Sequence, residues 1–148
     1  MNRFAVAACL LAIASVGRAQ TISTPQSIKW GPAPASLPAR ARAAVLDGDP
    51  TKEGLFTIRL MFPAGYRIPP HFHPADEHVT VISGNLDVGM GDRFDRKKAT
   101  TLHAGSFGVI PAGMHHYAWA PGRTVIQLHG MGPWKLTYVN PADAPKPR

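Results

Sequence analysis

GYRIPPHFHPADEHVTVISG, residues 65–84, holds the residues from which both the fold and the chemistry of this chain can be read. His71 and His73 stand two apart, and Glu77 follows four residues after His73. On extended chain a period of two points both imidazoles to one face. Glu77 opens the run to Ser83, where Val79, Thr80, Val81 and Ile82 are β-branched, as a strand prefers. Two neutral imidazoles and one carboxylate converging from adjacent segments suit a divalent metal ion. They leave positions for a third ligand and for solvent or substrate.

Outward from this stretch the chain reads as short strands separated by turns. On the N-terminal side, residues 55–62 alternate Phe56, Ile58, Leu60 and Phe62 with Leu55, Thr57, Arg59 and Met61. Residues 43–46 form a shorter strand closed by Asp47-Gly48-Asp49-Pro50. Residues 20–42 are rich in Pro, Ala and Ser and read as an extended arm, with an edge strand at residues 28–30, that crosses to a neighbouring subunit or packs along the outside. On the C-terminal side, Ser83-Gly84-Asn85 reads as a hairpin turn into residues 86–88. A polar loop follows at 89–98, then strands at 99–102, 107–110, 114–119, 124–129 and 135–139, and a polar tail from Pro141. No segment carries a helical period. Fourteen glycines and fifteen prolines fit many turns and disfavour a helical bundle. The expected class is all-β, an antiparallel barrel or sandwich.

The second chemical feature is GSFGVIPAGMHH, residues 105–116. A strand runs into Pro111-Ala112-Gly113 and reverses, a hairpin that can lay a histidine against the strand carrying Glu77. His115 and His116 are neighbours, so on a strand they face opposite ways and one alone can join His71 and His73. Within residues 124–129, Val125, Gln127 and His129 share a face. If that face lines the barrel, Gln127 and His129 serve catalysis by handling protons or orienting substrate. Otherwise they bond within the sheet. His78 follows a ligand and faces away from it, and His103 lies beside a turn. Tyr66, Phe72, Trp119 and Trp134 read as core, rim or interface residues.

Gly65-x5-His71-x-His73-x3-Glu77-x6-Gly84 resembles the first cupin motif at every position, and Gly105-x5-Pro111-x-Gly113-x2-His116 resembles the second. The motifs cover residues 65–116. The resemblance implies a single-domain jelly-roll β-barrel over residues 55–140, with His71, His73, Glu77 and His116 as metal ligands. It also implies pairing of two copies through their outer sheets. One departure is Ala120, where the family often has Asn; that position is not a ligand, and Pro121-Gly122 supplies a turn.

Residues 1–19 read as a secretory signal peptide. Asn2 and Arg3 precede an apolar run at 4–16 that is too short to span a bilayer, and Gly17-Arg18-Ala19 puts small residues at the cleavage positions. The expected location is exported, periplasmic or secreted. The single cysteine, Cys9, lies in this segment, so the remainder has no disulfide, thiolate ligand or cysteine nucleophile. Removing Arg3 and Arg18 takes the formal charge from +7 to +5. A basic cluster at 93–98 has Asp95 inside it and reads as a solvated loop. Nothing resembles a nucleic-acid recognition element or stable membrane insertion. The expected partner is a small molecule, and the expected cofactor is one divalent ion, with Fe, Mn, Ni and Zn not distinguished. The leading reading is a small metalloenzyme, an oxygenase or a lyase or isomerase. The second is a binding or sensing cupin.

Overall fold

The structure, a computed structural model, describes residues 20–146; the segment read as a signal peptide lies outside them. Eleven strands alternate with turns: β1 (Gly31–Pro32), β2 (Arg42–Asp47), β3 (Gly54–Phe62), β4 (Tyr66–Phe72), β5 (Glu77–Ser83), β6 (Asn85–Met90), β7 (Thr100–His103), β8 (Phe107–Ile110), β9 (His116–Ala120), β10 (Thr124–Gly132) and β11 (Thr137–Tyr138). They form two antiparallel sheets facing each other. One has the order β1-β2-β3-β10-β5-β8, the other β11-β4-β9-β6-β7. Both sheets exchange strands along the chain, as a jelly roll does. Among the described residues no helix is long and apolar enough to cross a membrane.

The alternation written into β3 decides what goes inside. Phe56, Ile58, Leu60 and Phe62 are at most 2% exposed, while Leu55, Thr57, Arg59 and Met61 face outward. Each such side chain removed from water contributes about 1.5–3 kcal/mol. Val79 and Val81 of β5 and Ile126 and Leu128 of β10 meet them from the same sheet, and Leu86, Val88 and Ala118 face them from the other. The N-terminal arm adds Leu37, 2% exposed, to this core. Two phenols hold it there: Tyr66 Oη donates to the Pro38 carbonyl at 2.6 Å and Tyr138 Oη to the Ser36 carbonyl at 2.7 Å.

Two turns read as hairpins are instead corners between sheets. Ser83-Gly84-Asn85 joins β5 of one sheet to β6 of the other, and residues 111–115 join β8 to β9 in the same way. His116 therefore stands opposite His71 of β4 rather than against the strand of Glu77, which pairs with Ile110. Turn chemistry dictates a reversal but does not say which sheet receives the returning strand. The basic loop is likewise more than a solvated tether. It folds over the outer face of the smaller sheet, where Phe94 meets Tyr117 at 5.0 Å and the Arg96 guanidinium lies 3.0 Å from the centre of the Trp119 ring.

Candidate metal centre

The end of β4 sets the first two imidazoles. His71 is its penultimate residue and His73 follows the strand, so both share one side of an extended backbone. His71 is registered directly against His116, the first residue of β9. Glu77 begins β5, in the facing sheet. Two bonds lock the motifs together: the Gly113 N–H donates to the His73 carbonyl at 2.9 Å, and the Ala112 N–H donates to Asp76 Oδ1 at 2.8 Å.

The result is a compact cluster. One nitrogen from each of His71, His73 and His116 lies within 4.8 Å of the other two, and all three residues are buried. Ring centres are 4.1 Å apart for His71 and His116, 5.0 Å for His71 and His73, and 5.3 Å for His73 and His116. The carboxylate of Glu77 reaches His73 Nε2 at 3.4 Å and His116 Nε2 at 3.5 Å. His115, beside His116, points out and meets Asp92 at 2.6 Å.

Each imidazole is oriented by a backbone carbonyl. His71 Nδ1 lies 2.7 Å from the Pro69 oxygen, His73 Nδ1 2.8 Å from that of Lys135, and His116 Nδ1 3.0 Å from that of Met114. A carbonyl only accepts, so each Nδ1 carries a proton and donates it. In the neutral ring this leaves Nε2 as a bare lone pair. Burial, then the neighbouring His116 and His73, push the His71 imidazole down to about 3, so it is neutral at ordinary pH. Burial also lowers His73. Burial alone would raise Glu77, but the bond to His116 and the nearby imidazoles outweigh it and hold the carboxyl below its usual value. That downward shift needs a proton on the facing rings; in the neutral rings the Nε2 lone pairs face the carboxylate at 3.4–3.5 Å and repel it unless a positive charge, a proton or a metal ion, sits between them. His73 Nε2 indeed has no hydrogen-bond partner. The donor set thus fits a divalent cation.

This arrangement has a pH signature in metal-free protein. The unfolded His71 titrates near 6.5, the folded one near 3. The unfolded chain binds the proton first, so stability is full above about pH 6.5 and falls as pH drops toward 3. The slope approaches about 1.4 kcal/mol per pH unit. Between pH 6.5 and 5 the urea midpoint should report a loss of about 1.6 kcal/mol from His71, and His71→Asn should reduce the total loss without abolishing it, because His73 is lowered in the same direction.

Neither Gln127 nor His129 lines the histidine chamber, although His129 borders a separate small pocket that also touches His73 and Glu77. The pleat of β10 turns Ile126 and Leu128 inward, 4% and 2% exposed, so the face shared by Val125, Gln127 and His129 is the outer one. There Gln127 Oε1 accepts from Arg59 Nε at 3.2 Å, and His129 lies 4.8 Å from His78, ring centre to ring centre. The expected catalytic role of these two is withdrawn on that geometry. Sequence reading missed the segment that closes the site. Trp134 stacks on His73 at 5.4 Å, and Lys135 contributes only its carbonyl, which no side-chain pattern signals.

A family model described as a domain of unknown function, DUF4437, matches residues 21–144. The chain belongs to this family. It is a single-domain member of the cupin superfamily. A germin-like protein (subfamily 1 member 7) of Arabidopsis thaliana is 33% identical over 96 residues, covering 62% of this chain and 42% of that protein. The chain thus spans less than half the length of this curated relative. The polyketide cyclase RemF of Streptomyces resistomycificus superposes with a TM-score of 0.71 at 15% identity, covering 86% of this chain and 90% of that one. A putative acetylacetone dioxygenase of Methylibium petroleiphilum does so at 0.66 and 20% identity, covering 91% of each. At these identities the structural likeness establishes the jelly-roll fold.

Proposed function

We propose that this DUF4437 cupin is an exported small metalloenzyme, with one divalent ion held by His71, His73, Glu77 and His116. The observation that carries the reading is three buried imidazoles that each bring one nitrogen within 4.8 Å of the other two, with the Glu77 carboxylate 3.4–3.5 Å from two of them. A bound ion would supply Lewis acidity or, as iron(II), a seat for dioxygen beside a chelating substrate. The chain's own groups orient the donors and keep water away. The chamber is about 30 Å³, room for one or two waters. Its walls are apolar side chains such as Leu60, Val88 and Leu128, and among the described residues no Lys or Arg lines it. A dicarboxylate would find no counter-charge there except the ion. A small molecule offering two oxygen donors on an apolar body, such as a diketone or its enolate, matches those walls better in charge and polarity, and to reach the ion it needs the chamber to widen beyond its room for one or two waters. The polyketide cyclase and the putative acetylacetone dioxygenase among its structural neighbours are compatible with such substrates.

The test is reconstitution with Fe(II), Mn(II), Ni(II) or Zn(II), followed by a panel of diketones, hydroxyketones and dicarboxylates. Oxygen uptake or product formation should appear with a chelating apolar substrate and vanish in Glu77→Gln. Tight metal binding with no turnover across the panel would favour the second reading, a binding or sensing cupin. One observation favours that alternative: among the described residues no titratable group lines the chamber besides the four donors.

The outer face of the larger sheet supports pairing of two copies. Leu55, Met131, Phe107 and Val109 are 46–59% exposed and run across it beside His78 and His129. Light scattering behind a sizing column should give twice the chain mass, and Phe107→Lys should halve it.

A further inference from the structure

The two sheets part along one side. β8 ends the larger sheet and β7 ends the smaller one. Each pairs on one flank only, β8 with β5 and β7 with β6, so their facing edges leave ladder groups unpaired. One end of the seam is shut by the link between these strands: the Gly105 N–H donates to the Val81 carbonyl at 2.8 Å, and the Val81 N–H to the Ser106 carbonyl at 3.0 Å. Below that closure lies a cleft of about 250 Å³.

Its shape follows from one missing side chain. Gly108 lies on the same side of β8 as Ile110, whose side chain is buried. A Cβ built on Gly108 would meet nothing within 4 Å. Neither a close backbone nor a positive φ requires glycine there, so what the residue provides is room. Leu102 and Thr100 form the opposite wall, and Lys98 is the charged residue at the rim. Val79, Val88 and Ile110 line this cleft and the histidine chamber alike, so a single layer of side chains separates the two.

We propose that the cleft is a binding site for a small amphiphilic anion. Its apolar body lies between Gly108, Val88 and Leu102, and its carboxylate or enolate oxygen meets Lys98. The volume admits a chain or ring of about ten heavy atoms, the size class usual for small-ligand pockets near their lower limit. The apolar contacts supply most of the affinity, and the lysine sets the sign of charge accepted. The site is separate from the metal donors, so its occupancy does not depend on the ion.

The experiment uses amide and methyl NMR of the whole protein, with octanoate, octanol and octylammonium as probes. Octanoate should shift Gly108, Thr100 and Leu102 saturably, with octylammonium at least about tenfold weaker. Gly108→Phe should weaken octanoate at least about tenfold while keeping wild-type metal content and melting temperature. Lys98→Glu, an exposed change, should reverse the preference between octanoate and octylammonium even if Gly108→Phe fails to fold. The proposal is overturned by shifts confined to the histidine chamber or to the Phe107 and Met131 face. It is equally overturned by no saturation up to about 10 mM, or by a folded Gly108→Phe that binds as tightly as wild type.

Discussion

His116→Ala should strip the protein of metal, lowering affinity at least about 100-fold, because losing a direct ligand exceeds the 10–100-fold typical of losing a ligand's supporting partner. Protein purified without chelator should carry about one equivalent of divalent ion, and the variant less than a tenth of that, by elemental analysis. His116 is 2% exposed, faces His71 across the ladder and reaches Glu77 at 3.5 Å. Removing it leaves two imidazoles and a carboxylate around a space that no neighbouring donor fills. His115→Ala is the matched control. That ring sits one residue away, is bonded to Asp92 outside the barrel, and should leave metal content unchanged. Full occupancy in His116→Ala, or equal loss in both variants, would refute the ligand assignment.

Gly84→Ala should cost about 3 kcal/mol and lower the melting temperature by about 10 °C. Gly84 has φ +76°, where a Cβ is strained by about 1–2 kcal/mol. An added Cβ would also lie 2.4 Å from the Arg123 carbonyl oxygen and 2.8 Å from Thr124 Oγ1. The carbonyl belongs to backbone entering β10 and cannot swing away. Thr124 is fully buried, its hydroxyl donating to the Asn85 carbonyl at 2.7 Å, so it cannot yield cheaply either. The other motif glycines set the comparison. Gly65, Gly105 and Gly113 also have positive φ, but an added Cβ meets nothing within 4 Å. Alanine there should cost only the conformational part, about 1 kcal/mol. Calorimetry of the four variants separates the two effects, and equal losses at all four positions would show that the corner contact is unimportant.

The sequence spacing that paired glycines with histidines carried far. The alternation of β3 marked the core face, and the bounds of β5 and β8 follow from β-branched runs between turn residues. Strand 66–72 was legible only through its histidines, because Pro69 and Pro70 interrupt any strand pattern. Gln127 and His129 illustrate the limit. Alternation says that they share a face, but which face turns inward depends on the register against β3 and β5. Leu128 is apolar enough to win the core side, and the polar pair is left to the outer surface.

By itself the sequence determined the all-β class, through the two-residue period and turn chemistry. Its resemblance to the two cupin motifs pointed to His71, His73, Glu77 and His116 as a set and to His116 over His115, a choice that the strand period alone left open. Only the tertiary structure decided which turns are corners between sheets and that three backbone carbonyls fix the imidazole tautomers. It alone also revealed that Trp134 and the arm residue Leu37 wall in the chamber. Those facts depend on which distant segments meet. That is settled by the summed burial of two sheet faces, not by any one stretch of chain.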